Sequence, residues 1–393
     1  MRDAGRGGVA RPDSMPIVGV GAVTAYGWGR EPLWDGLLGG VPAPRRHPGY
    51  GPGRDEYAWV GPIPPDPAGG GSAARFGRAV RAAAAEAMAD ASARGWSGAG
   101  RTVGIVHAIT LGDVADWRDY ARGGLRRSRD YLPLLPSTVI SDLAVEYGFH
   151  GPAVNVSAAC SSAGAGLLTG LLWQRAGLVD DVLCVVTDLS ATPEMLAQFV
   201  ALGVAVADAD PLTACRPFQH GTRGFTMAEA SVALLLSGAA DRPYARVLGG
   251  SMNNDGYHAV SMNPSGRYLT ACVEAALADA GVEPGGIGWV NAHGTGTRQC
   301  DRAERALLSG VFADRPAVYA LKPLTGHCQG AAAGVEIATT ALAYDRGVLP
   351  APRPVVPAYD RLVDGPVGQD GAPTLKLSMG MGGTNVALVL GPA

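Results

Sequence analysis

Val156-Ser157-Ala158-Ala159-Cys160-Ser161-Ser162-Ala163-Gly164-Ala165 is the stretch on which the reading of this chain turns. The apolar run Ala153 to Ser157 leads into it, and small residues that suit a helix follow as far as Gly177. The pattern predicts a strand, a sharp turn and a helix, with Cys160 at the turn. A thiol at a helix N-terminus feels the positive end of the helix dipole. That favours the thiolate, the form that attacks carbonyls. The competing reading is a buried, inert cysteine packed as a small hydrophobe. Cys160 alone does not choose between them; the rest of the chain does.

Outward from this point the chain alternates. Strands are predicted at Pro16–Val23, Thr102–Ala108, Asp181–Thr187, Glu229–Leu236, Ala245–Gly250, Ile287–Asn291, Ala317–Leu321, Leu375–Ser378 and Asn385–Leu390. Helices are predicted at Ser72–Arg94, Arg267–Ala280, Asp301–Phe312 and Cys328–Asp345. Gly95 and Gly281 stand as helix stops. Alternation of this kind means α/β with buried sheets. Residues 40–71 are rich in Pro and Gly and read as surface loop. Residues 109–135 read as polar and irregular. Their Arg118, Arg122, Arg126, Arg127 and Arg129 form either a solvated face or a dock for an acidic partner.

A chain of 393 residues exceeds what one core usually holds. We expect a loose tail at 1–15, one βαβ-rich half at 16–241 carrying Cys160, and a second at 242–393. Hydrophobic content of 47% and charged content of 17% support a large buried core. A net charge of -3 argues against general nucleic-acid binding. Six cysteines without a CxxC pair read as free thiols in a reducing, cytoplasmic compartment. No apolar run is long enough to span a membrane, and the first fifteen residues lack the apolar segment of a secretory signal.

Two of the seven histidines follow buried strands inside glycine-flanked loops. His293 sits in Val290-Asn291-Ala292-His293-Gly294-Thr295-Gly296-Thr297, and His327 in Leu321-Lys322-Pro323-Leu324-Thr325-Gly326-His327. A lone histidine there would be structural; two such loops plus a cysteine turn favour chemistry. The spacings supply no zinc set. A metal-free Cys-His acyl-transfer site fits better. The chain has no G-x-S-x-G elbow of α/β-hydrolases and no phosphate loop.

Taken in order, Cys160 in VSAACSSAG, His293 in NAHGTGTRQCD, Lys322 and His327 in KPLTGHCQGAAAG, and GMGGTN at 380–385 resemble the β-ketoacyl synthases of the thiolase superfamily. Arg216-Pro217-Phe218 and Gly224-Phe225 resemble a further landmark. The resemblance implies a thiolase fold, two related halves in five α-β-α-β-α layers, usually dimeric. It implies that Cys160 takes an acyl group from an acyl carrier protein. His293 and His327 would then stabilise the enolate left when a malonyl-type extender loses carbon dioxide. Cys160 and Met381 would supply the backbone amides of an oxyanion hole. Lys322 would tune the site, and Glu336 would pair with it or orient a histidine. Thr295 and Thr297 would hydrogen-bond the phosphopantetheine arm, with Gly382 and Gly383 beside the substrate. Asp301 and Glu304 look like scaffold ion-pair members. No cofactor is implied beyond the carrier's phosphopantetheine. The partner would be a second copy or a chain-length-factor-like subunit.

The chain departs from the family at Met381, where Phe is usual and gates the acyl pocket. Gln219 and Arg223 stand where Asp is usual, and Ala228 where Gly is. The expected activity is decarboxylative Claisen condensation in polyketide assembly. A Cys-dependent acyltransferase without decarboxylation, or a scaffold subunit of a ketosynthase pair, is the alternative.

Overall fold

The structure, a computed structural model, describes residues 14–51, 56–69, 75–123, 131–312 and 316–393. Its strands fall into two runs of the same order. The first run uses β1 (Met15–Thr24), β2 (Val103–Ile109), β3 (Ala153–Val156), β4 (Asp181–Asp188) and β5 (Ala230–Ser237). The second uses β6 (Ala245–Asn254), β7 (Trp289–Asn291), β8 (Ala317–Tyr319), β9 (Thr374–Gly380) and β10 (Thr384–Pro392). Across the sheet the orders are β3-β2-β4-β5-β1 and β8-β7-β9-β10-β6. In each run the first three strands of that order are parallel and the last two antiparallel to their neighbours. The runs join where β1 pairs antiparallel with β6, Met15 opposite Val247 and Ile17 opposite Ala245. Together with the short Gly27–Trp28 strand beside β1 they make one sheet of 11 strands.

Strand residues alternate between two cores, as a pleat buried on both faces requires. On β5, Val232, Leu234 and Leu236 face a central core, and Ala233 and Leu235 face an outer one. On β10, Val386, Leu388 and Leu390 face the central core, and Ala387 and Val389 a second outer one. The outer layers are α1 (Arg75–Ala93) with α2 (Pro136–Tyr147) on one side and, on the other, helices at Arg267–Ala280 and Arg298–Val311. Between the sheet halves lie α3 (Ser162–Arg175) and a helix at Ala332–Arg346. The result is five layers.

The middle helices are rich in small residues because strands crowd them from both sides. A Cβ on Gly164 would sit 2.9 Å from Val386 Cγ1 of β10, and one on Gly170 would sit 2.9 Å from Val182 Cγ1 of β4. Leu167 and Leu171 are fully buried there, each stabilising the fold by roughly 1.5–3 kcal/mol.

Several expectations need correction. β1 begins at Met15, fully buried, inside the stretch expected as tail; residues 1–13 lie outside the described residues. The expected loop at 40–71 contains a hairpin pairing Arg45–Pro48 with Tyr57–Val60. The expected irregular segment contains a helix at Val114–Gly123. Its Arg118 and Arg122 both face Glu194, at 3.1 and 3.8 Å, so that part of the basic run is locally neutralised. Arg126, Arg127 and Arg129 lie outside the described residues.

The two outermost strands differ. β8 is covered by the chain itself: Val318 N–H donates to Arg361 O at 2.8 Å, and Val363 N–H to Val318 O at 2.9 Å. β3 ends the other side of the sheet, with Ala153, Val154 and Asn155 exposed.

Candidate active site

The turn after β3 is built by serines. Ser162 Oγ accepts from Ala158 N–H at 2.9 Å and donates to Ala159 O at 2.6 Å. These bonds hold Ala159 at φ 48°, a left-handed conformation unusual for alanine. They place Cys160 at the tip, just before α3 begins. The glycine turn between β9 and β10 docks against it: a Cβ on Gly380 would meet Ala158 O at 2.8 Å. Ser161 Oγ donates to Thr384 O at 3.0 Å.

The Cys160 thiol donates to Gln329 Oε1 at 3.8 Å. Burial pushes it up to about 12, against the opposing pull of the Lys322 ammonium and the Met381 amide. This corrects the thiolate expected from the helix dipole. At neutral pH the resting sulfur carries its proton, because loss of hydration outweighs the favourable charges.

His293 follows β7. Its N–H and that of Gly294 donate to the two oxygens of Glu304, at 2.6 and 3.0 Å. Burial pushes that carboxyl up to about 7, with the two amides opposing. Asp301, pushed up to about 6 by burial, accepts from Phe218 N–H at 3.0 Å. Asp301 and Glu304 therefore hold loops through backbone amides, and neither forms a salt bridge among the described residues, a correction to their expected pairing. His327 is held differently. Its N–H donates to Thr226 O at 2.7 Å and its carbonyl accepts from Ala228 N–H at 3.0 Å. Phe225 meets its ring edge-on, with centroids 4.6 Å apart. The two imidazoles lie nearly perpendicular, 5.8 Å between centroids. Burial holds both well below the usual histidine range, and Lys322 and Lys376 add to the effect. Burial therefore favours the neutral form of both rings.

Behind the rings is a dry ion cluster. Lys322 Nζ donates to His293 O and lies 2.8 Å from Glu336 Oε1. Glu336 thus pairs with Lys322, as one of the two expected readings had it. Lys376 lies 2.6 Å from Glu336 Oε2. All three side chains are about 1% exposed. Lys376 was missed in the sequence, where LKLS reads as an ordinary strand.

Cys160, His293, His327, Thr295, Thr297 and Met381 line one cavity of about 220 Å³. Thr295 and Thr297 share a hydrogen bond at 3.1 Å. Met381, 37% exposed, stands on the rim. Gly382 and Gly383 do not line the cavity, against expectation. Both have φ above 80°, which serves the turn, and a Cβ on Gly383 would sit 2.6 Å from Asp255 Cβ. A larger groove of about 630 Å³ lies against the helix Pro193–Ala201. It holds neither the cysteine nor either histidine, so size alone misleads here. Among the described residues no cluster of His, Cys, Asp and Glu could hold a metal.

Such a fold and site define an acyl-transferring condensing enzyme. Residues 13–242 match the beta-ketoacyl synthase N-terminal domain, and residues 244–355 the beta-ketoacyl synthase C-terminal domain. The chain belongs to the beta-ketoacyl synthase family. It is 30% identical over 363 residues to the tetracenomycin polyketide synthase ketoacyl synthase alpha subunit of Streptomyces glaucescens, covering 85% of each chain. It is 31% identical over 275 residues to 3-oxoacyl-[acyl-carrier-protein] synthase 2 of Mycobacterium bovis, covering 65% of each. Among solved structures, the ishigamide ketosynthase/chain length factor superposes with a TM-score of 0.82 at 26% identity, over 98% of this chain and 100% of that one. A type II ketosynthase solved with its acyl-carrier protein gives 0.85 at 22% identity, over 98% and 100%. The thiolase fold is thereby established.

Proposed function

We propose that this condensing enzyme performs decarboxylative Claisen condensation on carrier-bound substrates in polyketide assembly. The observation that carries the reading is the shared cavity: one thiol and two imidazoles, backed by buried lysines. Cys160 sulfur attacks an acyl thioester, its proton passes to the departing pantetheine thiolate, and an acyl-cysteine remains. A malonyl thioester then enters. Loss of carbon dioxide leaves its electron pair as an enolate, whose oxygen accepts hydrogen bonds from His293 and His327. The enolate carbon attacks the acyl-Cys160 carbonyl. The new carbon–carbon bond forms as the carbon–sulfur bond to Cys160 breaks, and the β-ketoacyl chain leaves on the carrier. Neutral rings suit this work, since each offers an N–H to the developing oxyanion in a water-poor site. The Met381 amide, close enough to influence the Cys160 sulfur, is placed to serve the acyl-transfer oxyanion.

Two partners follow from this reading. One is an acyl carrier protein, as in the solved ketosynthase–carrier complex. The other is a second subunit on the bare β3 strand, either a copy of this chain or a chain-length-factor-like relative. Val154→Lys should then shift the assembled species to monomer in sedimentation; an unchanged profile removes β3 from the interface. The polyketide assignment draws on the Streptomyces relative.

The deciding experiment incubates the protein with acyl- and malonyl-carrier protein. Carbon dioxide release together with a β-ketoacyl product is expected. Clean acyl transfer without release would instead indicate a plain acyltransferase, and an unmodified Cys160 beside an acylated partner a scaffold subunit.

A further inference from the structure

Three buried side chains behind the histidines carry two cations for one anion. Glu336 sits on the helix Ala332–Arg346 of the middle layer. Lys322 takes its Oε1 at 2.8 Å and Lys376 stands 2.6 Å from its Oε2. Lys376 and Glu336 thus form a buried ion pair. Lys376 also donates to backbone carbonyls: Leu377 O at 2.6 Å and Ala292 O at 3.4 Å. Lys322 holds the next carbonyl, that of His293. Two successive carbonyls of the catalytic loop are therefore tied to two ammonium groups bridged by a single carboxylate.

A buried lysine is expensive to desolvate, and a carboxylate already paired with one ammonium needs no second for its own neutralisation. An apolar residue at position 376 would suit a strand whose neighbours Leu375 and Leu377 are fully buried. The surplus cation must therefore be accounted for by what it faces. We infer that Lys376 is a positioning residue of the condensing site: it anchors the Ala292–His293 backbone and fixes a second positive charge behind the two imidazoles. That charge disfavours protonation of the rings and favours an anion in the cavity in front of them. Proximity is the reason it matters, since a loop that drifts by about 1 Å can cost on the order of 100-fold in rate.

The charged groups around it come from several elements. Glu336 and Lys322 are in contact, and Glu304 on Arg298–Val311 acts at longer range. Burial pushes Lys376 down to about 8, with Glu336 and Glu304 opposing and Lys322 reinforcing. The titratable groups in front are His293, His327 and Cys160. The inference rests on the condensing role proposed above.

The test uses the full chain with Lys376→Met and Lys376→Gln. Both should lower carbon dioxide release from malonyl-carrier protein by about tenfold or more, while acyl loading of Cys160 falls less. The acid limb of the release profile should move to higher pH, because removing a cation raises the imidazole pKa. Lys376→Gln, which keeps an N–H for Ala292 O, should recover part of the rate but not the pH shift. A folded variant with unchanged rate and unchanged acid limb overturns the inference. An NMR titration of the histidine rings, run on the unmodified protein and on Lys376→Gln side by side, needs no reaction to occur. His293 and His327 should take up their protons at higher pH in the variant than in the unmodified protein; coincident titration curves overturn the inference. If the unmodified protein releases no carbon dioxide, the functional reading fails, and the difference between the two titrations still decides whether Lys376 acts on the rings.

Discussion

In the N-terminal half the chain leaves β3 into a serine-built turn and presents a thiol. In the C-terminal half it leaves the equivalent strand, β8, and presents Lys322 and then His327. The two halves share strand order and sense, and each sends a small-residue helix into the middle layer. Their loops are nevertheless unlike. Between β4 and β5 the chain makes a long excursion from Leu189 to Glu229, which supplies Phe225 and pins the His327 backbone. At the matching place between β9 and β10 there are only Met381, Gly382 and Gly383. The long excursion clamps a histidine from the other half; the short turn brings an amide to the cysteine of the other half. Neither half has a site alone. The cations that steady the Cys160 sulfur and the rings all come from the C-terminal half, so the electrostatics are as divided as the chemistry.

The largest effect that tests this division is Cys160→Ala. Acylation by an acyl-carrier thioester should vanish by intact-protein mass spectrometry while the fold persists. An acyl group found instead on Cys300, which lines the same cavity, would break the comparison, since the nucleophile would then belong to the C-terminal half. Next is His327→Ala, expected to lower carbon dioxide release by roughly 10²–10³-fold and acyl loading much less. Equal losses in both assays would erase the distinction between the halves.

A third test concerns His107, buried on β2 with Nδ1 3.1 Å from Asn155 Oδ1. Burial pushes it down to about 4, with the Asn155 bond opposing. A histidine depressed in the folded state gains its proton more readily when unfolded. Its contribution is present above pH ~6.5 and is lost as pH falls through about 4, amounting to about 3 kcal/mol. The protein should lose that much more stability than His107→Gln over this window in denaturant titrations. Identical pH dependence would show that His107 is not the buried acid-sensitive group. The smallest expected effect is Gly383→Ala. Its left-handed φ and the contact with Asp255 should cost about 1–3 kcal/mol, seen as a lower Tm, and should slow acylation as the Met381 amide shifts. A full rate of acylation would separate that amide from the oxyanion.

Much of this was legible in the chain. Runs of apolar residues locate the strands because both sheet faces are buried. Cys160, His293 and His327 stand out because each follows such a run and is flanked by small residues that only a tight turn requires. Other features were not legible. Helices at Arg30–Leu38 and Pro193–Ala201 were missed because their apolar residues mix with glycine or cover only one short face. Gly382 and Gly383 look like substrate contacts beside Met381, yet turn geometry alone explains them. Lys376 is the clearest case. A lysine among leucines reads as the solvent side of a strand, and its partner Glu336 is 40 residues away in sequence. Only the folded arrangement brings an anion to it. The thiolate expected at Cys160 failed for a related reason: a helix terminus can be read from a turn, but the dryness around it depends on distant packing.

The hydrogen-bonded seam between β1 and β6 has a mechanical consequence. Three residue pairs there weld the two sheets into a single slab, with two helices wedged through its centre. Hinge opening of one half against the other would tear backbone bonds in the middle of the molecule. Freedom to shift is left to small parts at the cavity rim, such as the unbranched side chain of Met381, which has three torsions to turn about and lies far along the chain from the seam.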